Sequence, residues 1–239
     1  MPVALALSPH LDDAAFSAGA TLARLAGRGW RVVVATVFTG NVARPEGFAL
    51  ACQLDKGLPP EADYMAIRRA EDEAACAALG AEAVHLPHLE APHRGYEDAL
   101  ALFAGVRAGD EAGAAVAGSV AEALDRYRPA LLLLPRAVGG HVDHVVVRRA
   151  VQRVERALPR TLFWTDWPYA SREAPRDPFA VQDAGRRVLD VPTASCLPAK
   201  LAACAAYATQ LGFQFGGGAG MRGSVGAVAA ERFVVSPPS

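Results

Sequence analysis

Apolar positions along the chain fall into short unbroken runs, separated by longer stretches of helical pattern. Residues 3–7 (VALAL) and 130–134 (ALLLL) read as strands buried on both faces. Residues 31–38 (RVVVATVF) are rich in β-branched side chains and read the same way. Residues 83–86, 161–165, 187–191 and 232–235 predict shorter strands. Between the strands, residues 15–28, 64–79, 145–157 and 197–211 predict helices, with Gly29 and Gly80 as stops behind the first two. Residues 99–127 are alanine-rich and read as helical, although Gly105, Gly109, Gly113 and Gly118 weaken the pattern. Residues 39–60, 87–98 and the glycine-rich 215–223 read as loops, the first a flap or lid and the last a mobile turn.

This alternation of strand and helix predicts an α/β protein: a mainly parallel sheet with helices on both faces. The length of 239 residues suits one domain, with a core over about 1–165 and an elaboration over about 166–239. In such sheets ligands bind beyond the carboxyl ends of the strands. Two polar loops follow two of the apolar strands, SPHLDD at 8–13 and GGHVDH at 139–144. In a parallel sheet both lie on one edge.

Composition narrows the classes. Hydrophobic residues make up 52% and charged residues 21%, as in a folded globular chain. The net charge is −1 with no basic block, which argues against a nucleic-acid partner. The N-terminal residues lack the positive region of a signal peptide, and no apolar run is long enough for a membrane span. Cys52, Cys76, Cys196 and Cys204 form neither a C-x-x-C pair nor a disulfide ladder, and fit a reducing cytoplasm. A homo-oligomer stays open.

The two loops supply His10, Asp12, Asp13, His141, Asp143 and His144. Two histidines and a carboxylate with an open position form a standard set for catalytic zinc, and also the facial set of non-haem iron(II) enzymes. His10 and Asp13 are close enough to share one ion, and His144 completes a set from the second loop. The spare carboxylate, Asp12 or Asp13, is placed to act as general base on water. His141 is a candidate for oxyanion stabilisation or protonation of a leaving amine, and Asp143 for orienting a histidine. Each loop alone reads equally well as a turn with a helix cap. Their common position after apolar strands favours a catalytic centre.

SPHLDD at 8–13 with the following AAFSAGATLARLAGRGWRVVVATVFTG resembles the opening of the PIG-L/LmbE-like de-N-acetylase family. GGHVDH resembles its His-Pro-Asp-His motif, and RRAEDEAACAALG at 68–80 its Arg-x-x-Glu helix. The resemblance covers the chain to about residue 150, and more loosely YATQ and AERFVV in the tail. It implies a Rossmann-like fold and zinc-dependent hydrolysis of the acetamido group of an N-acetylglucosamine-type or related small molecule. It also implies His10, Asp13 and His144 as metal ligands and Asp12 as general base. His141 would stabilise the tetrahedral intermediate or assist the leaving amine, Asp143 would support the histidine beside it, and Arg68 would contact substrate. Fe2+ or another divalent metal stays open in place of zinc. Leu11 and Val142 stand where the family often has proline, and Ala14 where it often has an acid, which marks a divergent branch.

Two other readings remain. An iron(II) oxygenase would use His10, Asp12 and His144, but would be expected on a double-stranded β-helix. A catalytically silent metal- or sugar-binding protein would keep the fold alone. Arg68 and Glu71, at i and i+3, read equally well as an exposed helical ion pair. His85, His88, His93 and Arg94 read as a pocket rim, Glu90 as a weak candidate for sugar hydroxyls, and Tyr169 as structural or rim.

Overall fold

The computed structural model describes residues 1–154 and 157–236. The chain runs β1 (Val3–Ser8), α1 (Asp13–Gly27), β2 (Arg31–Thr36), α2 (Gly47–Asp55), α3 (Tyr64–Leu79) and β3 (Glu82–His85). Next come α4 (Ala101–Ala104), α5 (Ala112–Tyr127), β4 (Leu131–Pro135), α6 (Val142–Gln152), β5 (Arg160–Trp164) and α7 (Ala180–Asp183). It closes with β6 (Val188–Pro192), α8 (Leu197–Ala206), α9 (Ala208–Phe215), α10 (Gly218–Gly226) and β7 (Ala230–Ser236).

The strands form one seven-stranded sheet in the order β3-β2-β1-β4-β5-β7-β6. β1 to β5 are all parallel, and β7 runs antiparallel between β5 and β6. The α/β class is as expected, and the sheet is not a double-stranded β-helix. β1 as far as Leu7, and β4, are apolar throughout because helices cover both faces. One face packs Phe16, Leu22, Leu79 and Tyr207 from α1, α3 and the α8–α9 junction. The other packs Val120, Leu124, Val146 and Val147 from α5 and α6. The edge strand β6 alternates exposed and half-buried positions, as a strand with one solvated face does. β1 and β4 are neighbours from which the chain winds outward in opposite directions. Their carboxyl ends therefore flank the crevice where such folds bind ligands.

Several local readings change. The 39–60 segment contains α2, whose Ala49 and Gln53 are buried one turn apart. The glycine-rich tail is not a mobile turn. Gly216, at φ 68°, ends α9, and α10 follows because Met221 and Val225 bury on one face. Tertiary burial there outweighs the poor helix propensity of glycine. The 99–127 helix is interrupted, since Gly105 at φ 117° ends α4. The 197–211 helix breaks at Tyr207, whose φ and ψ of −81° and 57° are not helical. The helix expected over 145–157 begins earlier, at Val142, so the second motif caps it; residues 155–156 of that reading lie outside the described residues.

Candidate active site

The first loop is shaped by its own short side chains. Ser8 Oγ donates to the His10 carbonyl at 2.7 Å and accepts Ala14 N–H at 3.1 Å. The Asp13 carboxylate accepts His10 N–H at 2.9 Å, which closes the turn into α1. The second loop uses Gly139 and Gly140 at φ 96° and 77°. A Cβ on Gly139 would stand 2.7 Å from that of Tyr169, so only glycine fits. His141 then caps α6, its Nδ1 accepting Asp143 N–H at 3.2 Å.

These turns bring the six predicted motif residues together. All six are buried. Donor atoms of His10, His141 and His144 lie within 4.8 Å of one another, and among the described residues they form the one such group. Asp13 Oδ2 stands 3.1 Å from both His10 Nδ1 and His144 Nε2. His144 Nδ1 is held at 2.8 Å by Asp166, whose other oxygen accepts Val138 N–H at 2.8 Å. His144 donates Nδ1–H to Asp166 and turns Nε2 toward Asp13, where that buried nitrogen has no hydrogen-bond partner of good geometry. Burial lowers its basicity, but Asp13 and then Asp166 outweigh it and raise His144 to about 9, so a metal would take the place of its Nε2 proton. A buried ring nitrogen of this kind, flanked by a carboxylate and two further histidines, fits a divalent metal.

Asp143 differs from its expected role. Its carboxylate bonds His10 Nε2, from the other loop, at 2.9 Å, rather than a histidine beside it in sequence. It is held in turn by Ala91 N–H at 3.1 Å and by Arg94 at 2.8 Å. Arg68 is buried and pairs with Glu90 at 2.5 Å. Glu71 accepts instead from Thr209 of α9, so the i, i+3 pair does not form. His85 pairs with Asp72 and His88 with Ser119, neither in a metal cluster. Asp166 and Gln214, which donates to Asp12 at 3.0 Å, escaped the sequence reading, and Arg94, read there as pocket rim, instead pairs with Asp143. Asp166 left one signal: it lies just past the carboxyl end of a parallel strand.

The two adjacent aspartates behave oppositely. Burial, then the charge of Asp13, pushes Asp12 up to about 7. For Asp13, burial is overcome by His144 and His10, which hold it well below the usual carboxylate range. Burial, then the charge of His10, keeps His141 well below its ordinary value, so its ring stays neutral. With Nδ1 accepting from the backbone, its N–H is at Nε2.

A cavity of about 440 Å³ opens from this cluster, lined on its polar side by Asp12, Arg68, Glu90 and His141. Fold and centre together define an α/β protein with a histidine–aspartate site of metal-binding type at the sheet's switch point. The chain belongs to the PIG-L family, described as GlcNAc-PI de-N-acetylase, whose model matches residues 5–155. It is 37% identical over 171 residues to a 2'-N-acetylparomamine deacetylase of Streptomyces fradiae, a match covering 70% of this chain and 58% of that protein. The chain thus spans less than two thirds of that relative. It is 31% identical to a 1D-myo-inositol 2-acetamido-2-deoxy-alpha-D-glucopyranoside deacetylase of Mycobacterium sp. (strain KMS), over 88% of this chain and 75% of that protein. Among solved structures it is similar to the zinc-inhibited form of a teicoplanin deacetylase, with a TM-score of 0.79, 26% identity, and 99% and 98% of the two chains covered. No helix among the described residues is long and apolar enough to cross a membrane.

Proposed function

We propose that the protein is a zinc-dependent de-N-acetylase that hydrolyses the acetamido group of an N-acetylglucosamine-type sugar or a related small amide, the whole chain working as one domain. The observation that carries this is the meeting of a histidine cluster with Asp13, and of both with Asp12, beside a cavity of about 440 Å³. Two relatives support the substrate class, since they are named as deacetylases of 2'-N-acetylparomamine and of a 2-acetamido-2-deoxy-glucopyranoside. The four free cysteines suit a reducing cytoplasm.

His10, Asp13 and His144 would hold the metal. The ion supplies Lewis acidity toward the amide carbonyl and makes water easier to deprotonate. Asp12, steadied by Gln214, faces the cavity beside these ligands and takes the proton of the attacking water. Water oxygen adds to the acetyl carbon, the C–N bond breaks, and the proton passes to the leaving amine. Acetate and free amino sugar result. The neutral His141 points its Nε2–H into the cavity as a donor to the developing oxyanion. Asp143 acts through His10, fixing its ring, and Arg68 with Glu90 offers charged partners for sugar hydroxyls.

The test is acetate release from N-acetylated amino sugars by protein stripped with a chelator and reloaded with zinc. Asp12→Ala is expected to bind zinc normally and lose about 10²–10⁴-fold in turnover. Asp13→Ala is expected to lose zinc. Equal zinc loss in both variants, or full turnover in Asp12→Ala, would overturn these roles.

A further inference from the structure

A second cavity, of about 480 Å³, shares no lining residue with the first among the described residues. It lies toward the amino ends of β4 and β5, where Leu131 and Arg160 begin their strands, and takes in the later turns of α1 and most of β6. The motif loops follow the carboxyl ends of β1 and β4, so the cavity is no extension of the catalytic centre. Its lining is mainly apolar, with Leu25, Trp30, Leu131, Leu162, Leu189 and Val191. Leu25, Trp30, Leu189 and Val191 are only partly buried, although they pack on the core.

The charge around this apolar hollow is one-sided. Arg24, Arg28 and Arg160 line it, and among the described residues no carboxylate pairs with any of them. Arg28 and Arg160 are exposed, and their guanidinium groups make no hydrogen bond among those residues. Arg24 donates only to neutral acceptors, the Pro192 carbonyl and Ser195 Oγ, and its Nε is buried without a partner. Asp190, the one acid among the lining residues, has its oxygens held by Arg232 at 2.8 and 3.1 Å. Three guanidinium groups are thus left without a counter-charge beside apolar side chains. A guanidinium fork matches a carboxylate, and apolar walls with a few convergent polar groups are the usual make-up of a small-molecule site. The apolar share of the lining favours a singly charged head on a hydrocarbon body over an inorganic anion or a sugar phosphate.

The geometry points to a second ligand site in this cavity, for a medium-chain carboxylate whose head meets the arginines and whose chain lies against the apolar lining. The site is separate from the deacetylase centre and does not depend on a metal.

Calorimetry with octanoate, octanol and acetate tests this. It compares the zinc-loaded protein, the same protein stripped with a chelator, and the double variant Arg28→Gln/Arg160→Gln. Both substituted residues are exposed, and a thermal melt checks that the variant is folded. Octanoate is expected to bind one site equally well with and without zinc, and more than about tenfold tighter than octanol or acetate. The double variant is expected to weaken octanoate by more than about tenfold and to leave octanol unchanged. No saturable octanoate binding, octanol binding as tight as octanoate, or octanoate binding that persists in the variant would overturn the inference. Binding that requires zinc would place the carboxylate on the metal instead and overturn it as well.

Discussion

Asp166→Asn isolates the contribution of a residue outside both motifs. Asp166 is 1% exposed and serves two donors, His144 Nδ1 and Val138 N–H, each at 2.8 Å. Asparagine keeps the shape but has one oxygen for these two donors. The backbone N–H of Val138 cannot change its character, whereas an imidazole can move its proton. The side-chain oxygen is therefore expected to stay with Val138 and the amide NH2 to face His144. His144 Nδ1 must then accept, which moves the ring proton to Nε2, the nitrogen needed bare for a metal. Loss of such a supporting partner costs about 10–100-fold in metal affinity. That factor corresponds to about 1.4–2.8 kcal/mol. Fold stability falls by only about 1 kcal/mol, since both hydrogen bonds persist in weaker form. Zinc titration of stripped protein against a competing chromophoric chelator gives the affinity, and a thermal melt of the metal-free protein gives the stability. Zinc affinity within twofold of wild type would refute the tautomer argument.

Two further substitutions separate stability from substrate binding. Lys200 and Glu231 form a fully buried pair at 2.7 Å, and Glu231 also accepts the N–H groups of Ala20 and Thr21. Lys200→Met leaves that carboxylate buried without its cation, at about 3 kcal/mol. The melting temperature should then fall by roughly 6–12 °C, and an unchanged melt by circular dichroism would contradict the expectation. Arg68→Met should raise KM by more than about tenfold while leaving zinc affinity untouched. A change in zinc affinity without a change in KM would remove Arg68 from the sugar site.

Much of the architecture was legible because it is written in local pattern. The runs VALAL and ALLLL have no polar position, which only a strand covered on both faces tolerates, and the motifs that follow them lie on one edge. What was not legible depends on residues distant in sequence. The pairing of His10 with Asp143 spans 133 positions, and the bond from Asp166 to His144 needs the register of β5 against β4. Arg68 illustrates the limit from the other side. Its helical spacing to Glu71 is correct for a pair, yet Glu90 and Thr209 offer each a better partner. Glycine content misled in the tail for the same reason, since the burial of Met221 and Val225 belongs to the tertiary structure.

The doubled aspartate shows how tertiary structure resolves a local conflict. Two neighbouring buried carboxylates cannot both be charged cheaply. Helix geometry separates them: Asp13 begins α1 and turns back toward His10 and His144, whereas Asp12 precedes the helix and meets Gln214 of α9. Asp13 thus receives the nearest positive charge and stays ionised. Asp12 carries the cost of burial and of its neighbour's charge, and rises to about 7. A carboxylate that binds a proton more readily than usual is the better base, so the repulsion between the pair supports the division of labour proposed for them. Swapping the order of roles would need Asp12 to reach both histidines from outside the helix. The turn fixed by Ser8 and by the His10 N–H bond to Asp13 instead gives that position to Asp13.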